Sequence, residues 1–295
     1  MRDPHHSSRL PGLLLATDFG PRCDRALERT RQLAAEFGAP VEVLTVHEPA
    51  RAPDDVLPWL DGDDAAGAAR AEGAARAEVA REFADAGLQA QPRFAGGPVD
   101  AAILQAAAAL PGWLVVTGAP RGETLVGALL GSTVERVAHG LAQPLLVVRR
   151  RVRAPYRAVL VAVDGGTAAR RALRLAARLF PDRRLVAFHV RDGMEPLADE
   201  VAMEAELERF VDACGLSPQA RAGVALAVGE GGPEAALARY VRANAIDLAV
   251  LGVREEPALR RLLVGSRSGH LLQDAACDTL LVPAAMPDGA AGDGA

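Results

Sequence analysis

LLLATDFGPRCDRALERTRQLA occupies residues 13–34, and VLVAVDGGTAARRALRLAARLF occupies residues 159–180. Each reads as an apolar strand ending in aspartate, a glycine-containing turn and a helix opening with Arg-Ala-Leu. The two aspartates, Asp18 and Asp164, are 146 residues apart. The likeness continues down the chain in the same order. GGPVDAAIL from Gly96 matches GGPEAALAR from Gly231. WLVVTGAPRGETLVGALLGST from Trp113 matches LAVLGVREEPALRRLLVGSRS from Leu248, and QPLLVVRR from Gln143 matches CDTLLVPA from Cys277. Recurrence of four blocks in order marks an internal duplication. The junction falls near Arg149–Pro155, giving domains at 10–150 and 156–284 with flexible tails at 1–9 and 285–295.

Within each half, strand and helix patterns alternate. Strands are predicted near 12–17, 41–46, 88–93, 113–117 and 144–149, then near 157–163, 184–190, 222–228, 247–251 and 278–282. Several are near-continuous apolar runs, as parallel strands covered on both faces require. Helices fill the gaps, one from Cys23 to Phe37 and one from Asp64 to Ala86 that stops at Gly87. The second carries Glu72 and Arg76 at the spacing of a helical ion pair. Pro98 marks a helix start, and Pro111-Gly112 closes that helix. Such alternation specifies an α/β fold of two tandem doubly wound domains. Each is a five-stranded parallel sheet flanked by helices, in the order 3-2-1-4-5.

Composition narrows the chemistry. The chain has 295 residues and no lysine, so all 33 basic residues are arginine. That excludes Schiff-base chemistry and a P-loop lysine, but not a phosphate site made from backbone N–H groups. A net charge of −5 argues against a general nucleic-acid binder. Three scattered cysteines suit a reducing cytoplasm rather than a disulfide framework. No long uncharged apolar run is present, so no membrane span is expected, and MRDPHHSSRLPG does not read as a signal peptide.

Two features meet at the C-terminal edge of each sheet, where open α/β folds bind ligands. One is the aspartate after the first strand. The other is the segment after the fourth strand, from Gly118 to Gly131-Ser132-Thr133 in the first half and from Gly252 to Gly265-Ser266-Arg267-Ser268 in the second. Glycine lets a backbone approach a ligand closely, and a helix N-terminus presents N–H groups to an anion.

Loop and duplication together resemble a tandem universal stress protein, whose loop motif is Gly-x2-Gly-x9-Gly-Ser/Thr. Arg121 replaces the middle glycine, with Gly122 following it, and Glu255 stands at that position in the second half. The resemblance implies an ATP or related adenine-nucleotide site, with Mg as a possible companion. The strand-one aspartate and a strand-two valine would contact adenine and ribose, and the loop would hold the phosphates. By position these are Asp18, Val46, Gly118, Arg121, Gly122, Gly131, Ser132 and Thr133, then Asp164, Val190, Gly252, Gly265, Ser266 and Ser268. Any hydrolysis should be slow, because no general base stands near the loop. The resemblance also implies pairing through fifth strands. LLVV at 145–148 and TLLV at 279–282 are expected to pair within the chain as an internal pseudo-dimer, with further homodimerisation open.

Simpler readings stand beside these. Ser132 and Glu135 are spaced as a capping box. Asp18 and Asp164 suit turns. His47 and His189 read as satisfied strand-end residues, and His139 and His270 as complements to helix dipoles. Arg149–Arg153 reads as a solvated linker. A ligand-free regulatory module acting through protein contacts is the alternative function.

Overall fold

The computed structural model describes residues 10–20, 23–47, 64–84, 86–119, 131–191, 200–253 and 277–284. The first half runs β1 (Leu13–Ala16), α1 (Asp24–Phe37), β2 (Val41–His47), α2 (Asp64–Ala84) and β3 (Ala90–Gly96). It continues with α3 (Val99–Ala108), β4 (Leu114–Gly118), α4 (Gly131–Gly140) and β5 (Leu145–Val148). The second half runs β6 (Ala158–Val163), α5 (Thr167–Leu179), β7 (Arg184–Arg191), α6 (Glu200–Asp212) and α7 (Pro218–Ala222). It closes with β8 (Val224–Glu230), α8 (Pro233–Ala243), β9 (Leu248–Val253) and β10 (Asp278–Pro283).

All ten strands join one sheet in the order β3-β2-β1-β4-β5-β10-β9-β6-β7-β8. Each half keeps the 3-2-1-4-5 order, with parallel neighbours throughout. The halves meet where β5 and β10 pair antiparallel, with Val147 opposite Thr279 and Leu145 opposite Leu281. This is the pairing expected of the two fifth strands. Because the seam is antiparallel, the C-terminal ends of β1–β5 share one edge with the N-terminal ends of β6–β10. The C-terminal ends of the second half lie at the opposite edge.

Alternation in the strands builds two cores. Leu13 and Leu15 lie in a core shared with α1, with Val79 and Phe83 of α2, and with Leu173 and Leu179 of α5. Leu14 and Ala16 face the other way, into a second core that also contains Ile103 of α3, Val137 of α4 and Val241 of α8. Residues that point to opposite faces in a strand thus feed separate helix layers. Helix α1 buries Ala26, Leu27, Thr30, Leu33, Ala34 and Phe37, the three-and-four spacing of one helical face, and ends on Gly38 at φ 63°. Both cores contain residues of both halves.

Several boundaries differ from expectation. Helix α2 is followed by a closing turn in which the Gly87 and Leu88 N–H groups donate to Ala84 and Phe83. That turn consumes Leu88, so β3 starts two residues late. A short helix, α7, was not anticipated; the Ser217 hydroxyl caps it by accepting from the Ala220 N–H at 3.2 Å. It displaces the start of β8 in the same way. Helix α3 ends at Ala108, before Pro111-Gly112. Arg76 does not pair with Glu72; its guanidinium lies 5.2 Å over the Phe94 ring.

Candidate functional site

Strand β1 is flanked by β2 on one side and β4 on the other, with Ala16 opposite both Leu44 and Thr117. Chain direction reverses here, since α1 leaves to one face and α3 and α4 cover the other. Doubly wound sheets open a crevice at such a switch point. A cavity of about 180 Å³ occupies it. Ala16, Thr17, Asp18 and Cys23 form one wall, Leu44 and Val46 another, and Val115 and Thr117 the floor. Val99 and Ile103 of α3 and Thr133, Val134 and Val137 of α4 close the remaining side.

Three sequence-predicted residues meet in this cavity: Asp18, Val46 and Thr133. Thr133 lies in the first turn of α4, so that turn's backbone is near the cavity mouth, and the first turn of a helix has N–H groups with no partner inside the helix. Gly118 ends β4 opposite Val148. Gly131 opens α4 and Ser132 follows it in the helix. Arg121, Gly122, Gly265, Ser266, Ser268 and His270 lie outside the described residues.

The turn beneath the cavity is tightly held. Asp18 Oδ1 accepts the Gly20 N–H at 2.8 Å, and Thr17 Oγ1 accepts the Phe19 N–H at 2.9 Å. Phe19 takes φ 53°, a left-handed conformation that non-glycine residues rarely adopt. Asp18 remains exposed and lines the cavity. Burial pushes the Cys23 thiol above its ordinary pKa, and the neighbouring Asp18 carboxylate adds to the rise. Reading the sequence missed Thr17, Cys23 and Thr117. Thr17 and Thr117 were detectable, because each directly precedes a residue already singled out.

The second half is arranged differently. Asp164 Oδ1 accepts the Gly166 N–H at 2.9 Å, the same turn as at Asp18. Gly165, at φ 77°, replaces Phe19 in the left-handed position. Val190 sits near the end of β7, opposite Gly229 of β8. His189 Nδ1–H donates to the Val163 carbonyl at 2.8 Å and is satisfied there. Gly252 proves to be a packing glycine. A Cβ at this position would lie 2.6 Å from the Ala168 carbonyl oxygen and the Ala169 nitrogen, within the first turn of α5. Helix α5 starts at the position equivalent to Pro21, three residues before the equivalent of α1's start. Its first turn therefore covers the end of β9.

The chemistry of the first-half cavity is that of a holding site. It combines an apolar slot, one carboxylate, three threonine hydroxyls and the first turn of a helix. Among the described residues no group of three or more His, Cys, Asp or Glu side chains is placed to hold a metal ion. No described helix is long and apolar enough to cross a membrane.

Comparison with known proteins agrees with this geometry. The universal stress protein family model matches twice, over residues 12–149 and 155–283. A universal stress protein of Synechocystis sp. is 30% identical over 158 residues, covering 52% of this chain and 52% of that protein. The chain thus spans about half the length of that curated relative. The crystal structure of a universal stress protein from Archaeoglobus fulgidus DSM 4304 has a TM-score of 0.69 at 20% identity. The match covers 94% of this chain and 99% of that one. A putative universal stress protein of Pseudomonas aeruginosa UCBPP-PA14 has a TM-score of 0.62 at 17% identity, covering 93% of each chain. These two likenesses establish the fold over nearly the whole length. With the repeat, the strand order and the doubled match in agreement, the chain belongs to the universal stress protein family, carrying the family domain twice in one polypeptide.

Proposed function

We propose that this is a cytoplasmic stress-response protein that binds ATP or a related adenine nucleotide in its first half, with little or no catalysis. The observation that carries the reading is the switch-point cavity beside the N-terminus of α4. Its volume of about 180 Å³ is below the roughly 300–1,000 Å³ of pockets that enclose a whole ligand. It suits a planar base held against Val46 and Ala16, with the ribose toward Asp18. The phosphates then lie outside the slot, over the N–H groups of α4, where the helix dipole favours negative charge. Magnesium would accompany the phosphates rather than occupy a protein cage, in keeping with its preference for phosphate and water ligands.

The second half favours the other reading. With the α5 backbone packed on Gly252, and Glu255 at the middle-glycine position, it acts as a scaffold and protein-contact surface. One chain then contains one nucleotide site.

Thr133→Glu tests this. The carboxylate repels a phosphate, yet an acidic residue in the first turn of a helix is otherwise favourable. The wild-type chain should melt several degrees higher with millimolar Mg-ATP, because a ligand selective for the native state stabilises it. The variant should lose that shift while keeping its ligand-free melting temperature. An undiminished shift in the variant places the nucleotide elsewhere, and no shift in the wild type leaves the regulatory module.

A further inference from the structure

The segment between β5 and β6, whose sequence reads as a solvated linker, is pinned at both ends. Asp278, fully buried at the start of β10, accepts the N–H groups of Arg149 and Arg150 on Oδ1 at 2.8 and 2.9 Å. Asp247 Oδ2 accepts the N–H groups of Arg157 and Ala158 at 2.8 and 3.2 Å. Between these anchors, Arg29 Nη1 of α1 donates to the Ala154 carbonyl at 3.2 Å. Arg25 Nη1 donates to the Arg149 carbonyl at 2.6 Å. A connection whose backbone is held by two aspartates and two arginines is a built loop, which fixes where its side chains start from.

That arrangement lines a cleft of about 610 Å³. Arg25 and Arg29 enter from α1, and Arg149, Arg150, Arg151, Arg153 and Arg157 from the connection; Asp247 is the one carboxylate among the described lining residues. Seven arginines thus gather in one concavity of a chain whose net charge is −5. Arg29 and Arg150 face carboxylates. Arg150 lies 3.7 Å from Asp247. Arg29 is buried, stacks 4.0 Å over the Tyr156 ring, and lies 3.4 Å from Asp278 with its Nε making no hydrogen bond. Asp278 is screened from the cleft and already accepts the Tyr156 hydroxyl at 2.6 Å. The exposed Arg151, Arg153 and Arg157 side chains have no carboxylate partner among the described residues.

The duplication provides an internal control. Positions equivalent to Arg29, Asp278, Tyr156 and Asp247 in the other half are Leu175, Pro144, Leu10 and Trp113. Arg25 has an equivalent in Arg171, which donates to the Ala284 carbonyl as Arg25 does to Arg149. The shared arginine ties helix to strand end in both halves. The remaining charges are confined to one edge.

We propose that this junction cleft binds a small polyanion carrying two or more phosphoryl groups, at a site separate from the switch-point cavity. Guanidinium groups match phosphate oxygens in paired N–H geometry and keep their charge at all working pH values. Anchoring the loop backbone on both sides lowers the ordering cost of binding. The volume and concavity suit a small molecule rather than a flat macromolecular surface.

The full chain should be titrated calorimetrically with inorganic tripolyphosphate and, separately, with ATP. The proteins compared are the wild type, the combined Arg151→Ser, Arg153→Ser, Arg157→Ser variant, and Thr133→Glu. Tripolyphosphate should bind the wild type and Thr133→Glu alike. Affinity should fall at least about tenfold in the triple variant, since charged hydrogen bonds are lost, and should weaken as salt rises. Equal dependence of ATP and tripolyphosphate on the three arginines identifies the phosphate chain itself as the recognised group. Binding of ATP alone, lost in the triple variant and kept in Thr133→Glu, identifies a nucleotide as its source. The proposal is overturned if the triple variant binds both probes as the wild type does, if neither binds at millimolar concentration, or if an acidic peptide displaces tripolyphosphate at equal charge.

Discussion

Phe19 and Gly165 hold the same place in the two halves and take the same left-handed turn, at φ 53° and 77°. Glycine does this freely, whereas a bulky residue does so at about 1–3 kcal/mol. The Thr17 and Asp18 side chains hold the Phe19 turn in shape, and the cavity begins immediately above it. Cys23 is the reporter for that cavity. It is partly exposed, while Cys214 and Cys277 are buried, with burial pushing the Cys277 thiol up to about 12. Alkylation of the native chain should therefore modify Cys23 ahead of the others. Because its pKa is raised, the thiolate fraction is small at neutral pH, so the rate should climb as pH passes the ordinary thiol range. Mg-ATP should slow the reaction further, read by mass spectrometry of the labelled peptide. Equal labelling with and without nucleotide would remove the cavity from consideration.

At the scale of elements, the halves differ in where a helix begins. Helix α5 starts three residues earlier than α1 in aligned terms, and its first turn lies on Gly252. Gly252→Ala should push α5 off β9 and cost about 1–3 kcal/mol, measured by chemical denaturation. An unchanged midpoint would return Gly252 to the ligand-contact reading. Strand order and both edges were legible in the sequence, because each repeat carries its own apolar runs and punctuating glycines. The helix starts were not, since Thr167 and Pro21 both suit a first turn and tertiary packing decides between them. Nor was the cleft. Arg149–Arg153 looks like any exposed run until Arg29, Asp247 and Asp278 arrive from positions up to 129 residues away.

At the scale of the whole molecule, the seam couples the halves. Asp278 of the second half accepts backbone N–H groups of the connection and faces Arg29 of the first. Removing one partner of a buried ion pair strands the other charge. Asp278→Ala should lower stability by about 3–5 kcal/mol. It should still unfold in a single transition, because both cores contain residues of both halves. Two separated transitions in urea, for wild type or variant, would show the halves to be independent.

The β5–β10 seam has one more consequence. Two identical copies meeting at a two-fold axis must present every interfacial residue twice, so an arginine placed against an aspartate on one side reappears on the other. Covalent fusion lifts that constraint. Arg29 and Asp278 face each other once, and the positions related to them carry Leu175 and Pro144. Joining the two copies in one chain thus allows them to become unlike: the charges gathered at the junction are replaced by Leu10, Trp113, Pro144 and Leu175 at the related positions.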